Sequence, residues 1–349
     1  MTLSRRRLLG LSALALGACG GRALAGLRDA GEAIGPAGLF APRRGDLRLL
    51  LISDLNGAYG STSYLPEVHR GVKLIPDWQP DLVLCGGDMI AAQKLGLGQE
   101  RLHAMWLAFE RQVLAPIRTA GLPFAPTPGN HDASGSRFGG AFMFAEDRQA
   151  ARRFWQARRQ QLGLNLIDGH DFPFYYALRQ GELFLITWDA SSATVPAEQV
   201  VWAERNLASA AASSARFRVV MGHLPLFGIS QGRDRRGERL EQASALRALM
   251  ERHGVLAYIS GHQHAWFPGK VGSLELLQLG ALGAGPRRLL GDSRPAVQTL
   301  TVWDLFQASG DGIATTYNMQ TLQPILSRTL PAMLEGEAGR VPRLDPFHS

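Results

Sequence analysis

The chain has 349 residues, 46% of them apolar and 19% charged. That composition excludes intrinsic disorder and gives room for one large domain or two small ones. The net charge of +7, carried in part by Arg5, Arg6 and Arg7, is too mild to argue for nucleic-acid binding and suits a small anionic substrate. Only two cysteines are present, Cys19 near the N-terminus and Cys85 in an apolar run, which excludes a disulfide framework.

The N-terminus reads as an export signal over residues 1–25. Ser4-Arg5-Arg6-Arg7-Leu8-Leu9 followed by the apolar stretch Leu11 to Ala18 has the charged and hydrophobic regions of such a segment. The apolar part is too short to span a bilayer as a helix. Paired arginines directly before it resemble a twin-arginine signal, the bacterial route for folded proteins; an ordinary secretory signal is the alternative. Two cut sites compete. Leu16-Gly17-Ala18-Cys19 resembles a lipoprotein box and would leave a lipid on Cys19, the only membrane contact expected. Ala23-Leu24-Ala25 would release a soluble protein to the periplasm. Residues 26–45 are rich in Gly, Ala and Pro and read as a linker.

From there to about residue 330 the chain alternates strand-like runs with helical spacing. Leu47 to Ile52 is a buried strand that delivers Ser53-Asp54-Leu55-Asn56. Tyr64 to Trp78 is helical, with Leu65, Val68, Val72 and Ile75 on one side. Leu82 to Cys85 is a second strand, ending at Gly86-Gly87-Asp88, and the two glycines permit a sharp turn and close approach. Strand, helix, strand with a carboxylate at each strand end is a βαβ unit with its site on one rim. Glu100 to Thr119 is a further helix, and Pro123 to Thr127 leads into Pro128-Gly129-Asn130-His131-Asp132.

Residues 133–171 are less regular and form a cap-like insertion, with a basic helix from Arg148 to Gln161. Phe174 to Leu178 and Glu182 to Trp188 are paired strands, and Pro196 to Ser213 is helical. Arg216 to Met221 leads to Gly222-His223. A helix from Leu240 to Arg252 and a strand from Val255 to Ser260 lead to Gly261-His262-Gln263-His264. Strands follow at Leu274 to Leu279, Val297 to Trp303 and Gly312 to Tyr317, and the tail at 331–349 reads as loop.

The rim residues are then Asp54, Asn56, Asp88, Asn130, His131, Asp132, His223, His262 and His264. Mixed imidazole, carboxylate and amide ligands suit zinc, manganese, iron or nickel rather than calcium or magnesium. Residues two apart in extended chain share a face, so both rings of His262-Gln263-His264 can turn to one side. Arg233, Arg235 and Arg236 follow His223 closely enough to clamp a phosphate. Tyr59 is near enough in sequence to offer a phenolate.

This set resembles the calcineurin-like metallophosphoesterase superfamily, whose pattern is D-x-H, G-D, G-N-H-[DE], G-H and G-H-x-H, over Leu47 to His264. The resemblance implies a four-layer α-β-β-α sandwich of two mixed sheets and two divalent metal ions. It implies that Asp88 bridges them, that Asp54, Asn56 and His264 hold the first, and that Asn130, His223 and His262 hold the second. His131 would stand at the leaving group, oriented by Asp132. Asn56 departs from the pattern, since the family has histidine there; an amide oxygen is a poorer donor for transition metals. Two cations about 3.5 to 4 Å apart can share a water and lower its pKa, giving a hydroxide that attacks a phosphate monoester or diester. The competing expectation is a non-catalytic metal- or phosphate-binding surface protein whose first site Asn56 has disabled.

Overall fold

The computed structural model describes residues 31–345; the expected export signal with Cys19, and residues 26–30 and 346–349, lie outside them. The strands in chain order are β1 (Leu47–Ile52), β2 (Leu82–Cys85), β3 (Phe124–Pro126), β4 (Arg137–Phe138), β5 (Ala141–Phe142), β6 (Leu166–Asp171), β7 (Tyr175–Gln180) and β8 (Leu183–Thr187). After these come β9 (Phe217–Met221), β10 (Ala257–Ser260), β11 (Phe267–Val271), β12 (Leu274–Gln278), β13 (Thr299–Phe306), β14 (Asp311–Asn318), β15 (Met333–Gly336) and β16 (Gly339–Pro342).

Two mixed sheets form the inner layers of an α/β sandwich, with helices outside. One has the order β14-β13-β1-β2-β3, the other β11-β12-β10-β9-β8-β7-β6. In the first, β1, β2 and β3 are parallel and β13 runs against β1. In the second, β8, β9, β10 and β12 are parallel. Every residue of β1, β2 and β10 is buried, as near-continuous apolar runs covered on both faces must be. Parallel strands share one carboxyl-terminal rim, and β1, β2, β9 and β10 carry their polar residues to it.

The Glu100–Thr119 expectation holds with one change. The helix runs from Gln99 through Phe109, passes through a π-helical turn at Glu110–Leu114 and resumes at Ala115–Thr119. Pro116 accounts for the turn, because it lacks an N–H and its ring crowds the carbonyl four residues earlier. The basic helix of residues 133–171 spans Ala145–Gln156 and is a wall of the domain. Phe154 stacks on Trp106 at 4.6 Å and Trp155 on Phe124 at 6.0 Å, burial worth about 1.5–3 kcal/mol for each ring. The β4–β5 hairpin in the same stretch is mostly exposed.

Three segments carry order that their sequences do not announce. Leu166–Asp171 pairs with β7 as an irregular edge strand, with register shifts in place of an apolar alternation. The tail contains the β15–β16 hairpin, which buries Leu334 and Val341; one inward side chain per short strand is too little pattern to recognise. Residues 31–45, whose composition reads as a linker, dock on the domain because Arg48 in β1 is fully buried and needs acceptors. Its Nε and Nη2 donate to Asp304 at 2.7 and 3.0 Å, Nη1 donates to the carbonyls of Ile34 at 2.8 Å and Trp78 at 3.1 Å, and Nη2 also donates to that of Pro42 at 2.9 Å. Among the described residues no helix is long and apolar enough to cross a membrane.

Candidate metal centre

Three strand ends, those of β1, β2 and β10, place four non-glycine residues in left-handed backbone: Asp54 (φ 52°), Asp88 (φ 54°), His262 (φ 66°) and His264 (φ 53°). Each costs roughly 1–3 kcal/mol and persists where the surroundings over-determine it, as at functional sites. The crowding is visible at Gly129, where a β-carbon would overlap the Asp88 carboxylate. All of these side chains are buried. Ligand atoms of Asp54, Asp88 and His223 lie within 4.8 Å of one another.

The histidine tautomers are set from behind. His223 Nδ1 donates to the Gly86 carbonyl at 2.7 Å and His264 Nδ1 to that of Gly285 at 2.9 Å, so each ring turns Nε2 toward the rim. There His223 Nε2 meets Asn130 Oδ1 at 2.9 Å and Asp88 Oδ2 at 3.2 Å, while His264 Nε2 meets Asp54 Oδ1 at 3.1 Å. His262 Nε2 donates to Glu238 Oε2 at 2.8 Å, which turns its Nδ1 lone pair to Asn130 Oδ1 at 3.0 Å. Lone pairs facing one another at such distances repel unless a cation or a proton stands among them. Apart from these approaches, buried Asp88 Oδ2 and His264 Nε2 have no hydrogen-bond partner. Ligands ~2.1 Å from one ion at right angles lie ~3 Å apart, so the donor set and its spacings fit divalent metal ions. The atoms fall into two groups that share Asp88: Asp54 with His264, and Asn130 with His223 and His262.

The charges agree with a site made for cations. Burial works against the Asp88 and Asp54 carboxylates, yet His223 and His131 around the first and His264 beside the second hold both below the usual range. Burial also opposes the His223 cation, but Asp88 outweighs it and pushes His223 up to about 9. A proton stands there when no metal does. His262 is pushed down by burial to about 4 and is a neutral donor to Glu238.

His131 lies at the edge of this cluster. Its main-chain N–H donates to Asp88 Oδ1 at 2.8 Å, its Nδ1 is 3.3 Å from the Ala92 carbonyl, and its Nε2 is 3.9 Å from Asp88 Oδ2. Tyr59 is 56% exposed and sets its ring against His131 at 5.1 Å. Asp132 does not orient His131 through any hydrogen bond among those described. At the third position of a one-turn helix, its carboxylate reaches back to accept from Gly129 N, Met89 N and Ile90 N at 2.8–2.9 Å. It thereby fixes the loop that presents Asp88. Burial, aided by the Asp88 charge, raises Asp132 to about 7.

Asn56 is buried, and its main chain donates to the Asp88 carbonyl and accepts from Ala284 N. The arginine loop behaves differently from a phosphate clamp. Arg236 pairs with Glu241 and Arg235 with Glu238 on the exposed side, while Arg233 donates to the His262 carbonyl and approaches Glu238. Glu238 itself escaped the sequence reading, since a glutamate among loop arginines carries no signal of its contact with a rim histidine.

With this geometry in hand, the comparisons are decisive. The profile described as calcineurin-like phosphoesterase matches residues 47–266. The chain belongs to that family. The family is one of phosphoesterases, and it implies divalent metal ions. Its fold is similar to that of a purple acid phosphatase from yellow lupin (Lupinus luteus) seeds, with TM-score 0.57 and 14% identity over 80% of this chain and 52% of that one. The chain thus spans about half the length of that phosphatase. It is also similar to a dimetal phosphatase from Danio rerio, with TM-score 0.54 and 14% identity over 80% of this chain and 98% of that one. No curated protein matches the sequence.

Proposed function

We propose that this metallophosphoesterase is an exported, binuclear metal-dependent enzyme that hydrolyses a small anionic phosphate monoester or diester. The convergence of buried, mutually repelling acceptor atoms into two groups that share Asp88 carries the reading. Asp88 would contact both ions, Asp54, Asn56 and His264 the first, and Asn130, His223 and His262 the second. Ions of manganese, iron, zinc or nickel held there would supply Lewis acidity and activate water at neutral pH.

The remaining steps fall to the chain's own groups. His131, with Nδ1 facing the Ala92 carbonyl, offers its Nε2 proton to the leaving oxygen. Asp132 keeps the Asp88 turn in register, a positioning role. The arginine-rich N-terminus and the small residues after its apolar stretch support export to the bacterial periplasm, either released or tethered through Cys19.

The test is elemental analysis of protein purified without chelator, read beside hydrolysis of an aryl phosphate monoester and the matching diester. About two metals per chain with turnover is expected. Replacement of His131 by alanine should leave metal content intact and slow poor leaving groups most; an equal loss for good and poor leaving groups refutes the acid role. One metal or none, with no turnover after added manganese or zinc, would replace the enzyme by a non-catalytic binding protein.

A further inference from the structure

The loop from Ile229 to Leu240 is fastened to the rim by Gln263, the residue between His262 and His264. Gln263 Oε1 accepts from Ile229 N at 3.0 Å, Ser230 N at 3.1 Å and Ser230 Oγ at 3.0 Å, while Nε2 donates to the carbonyls of Arg233 at 3.3 Å and Glu238 at 3.0 Å. All of these belong to a side chain that is itself fully buried. The loop is therefore a fixed strap, and it brings one carboxylate inward. Glu238 Oε2 lies 2.8 Å from His262 Nε2, while Oε1 accepts from Arg235 Nη2 at 3.1 Å. From behind, the tail hairpin braces the same loop, since Glu337 N donates to Asp234 Oδ2 at 2.8 Å.

Among the three rim histidines assigned to metal binding, His223 and His264 are oriented by main-chain carbonyls and only His262 by a carboxylate. We infer that Glu238 is a positioning residue for the second metal ion: by accepting the Nε2 proton it holds His262 in the tautomer whose Nδ1 faces Asn130 Oδ1. A carboxylate behind a histidine fixes the ring and raises the basicity of the other nitrogen. The inference rests on the binuclear reading above and adds to it a partner outside the family pattern. Arg233 and Arg235 acquire a role through it, since both approach Glu238 and hold its charge in place.

The test is zinc binding by the full chain, measured in competition with a chromophoric chelator, for wild type, Glu238→Ala and Glu238→Gln. Thermal unfolding of the metal-free proteins is recorded alongside. Glu238→Ala should bind the first ion as wild type does and the second about 10- to 100-fold more weakly. Glu238→Gln keeps an oxygen acceptor and should recover most of that loss. Unchanged affinity for the second ion in Glu238→Ala overturns the inference, as does loss of both ions with destabilised metal-free protein in both variants. Should Glu238→Ala fail to fold, the ring-nitrogen chemical shifts of His262 in the metal-free wild type decide. A proton on Nε2 supports the inference and one on Nδ1 overturns it. Wild type that binds no ion at all removes the binuclear reading as well, so the two failures are distinguishable.

Discussion

In the metal-free chain His223 stays protonated up to a pH of about 9, so an ion entering beside Asn130 must displace that proton. Its companions there have nothing to lose near neutrality: Asp88 is already ionised, His262 already neutral and Asn130 does not titrate. One proton should therefore leave per ion bound. At pH 7, roughly one His223 in a hundred is unprotonated, which weakens the site ~100-fold, or ~2.7 kcal/mol, relative to pH above 9. Asp132, with its pKa of about 7, can add a fraction of a proton, so the measurement belongs above pH 7.5. In a His264→Ala chain, which leaves the His223 position to be read alone, manganese affinity should rise about eightfold from pH 7.5 to 8.5. Calorimetry in two buffers of different ionisation enthalpy should count close to one proton released. A flat affinity and no released proton would refute the argument that the proton and the ion compete for one place.

The other predictions concern stability and the first ion. Glu275, paired across β12 and β11 with Lys270, is pushed up to about 7 by burial. Its penalty is absent below the unfolded value of 4.5, grows as pH rises through 7 and is constant above. Glu275→Gln should leave stability unchanged at pH 4 and raise it by up to ~3 kcal/mol at pH 8, checked by denaturant unfolding at both values. Arg48→Ala would leave the buried Asp304 carboxylate without its cation and should cost about 3–5 kcal/mol. A shift below ~1 kcal/mol in urea unfolding would show that residues 31–45 hold without it. Asn56→His should slow loss of metal on dialysis, and unchanged retention would place the Asn56 side chain off the first ion.

What the sequence made readable was local: apolar runs that stop at glycine and a polar residue mark strand ends, and parallel strands bring such ends together. Asp54, Asp88, Asn130, His223, His262 and His264 could be placed on one rim for that reason. Roles that depend on a partner distant in sequence stayed hidden. Asp132 serves backbone N–H groups more than forty residues upstream as well as Gly129, and Glu238 serves His262 across two loops. The arginines beside Glu238 are satisfied by neighbouring carboxylates, which composition alone leaves open. Arg48 shows the same limit in the fold, because a charged residue inside an apolar strand gives no hint that a Gly- and Pro-rich stretch will close around it.

The docking of residues 31–45 also gives the molecule two poles. Gly31 packs against the backbone of Arg44, at the end where β1 begins, whereas the metal rim lies where β1 stops. Six strand residues separate these ends, ~20 Å at the usual rise. A pull transmitted through Gly31 would therefore act on the floor of the sandwich, at the end of β1 opposite the rim that gathers the metal-binding side chains.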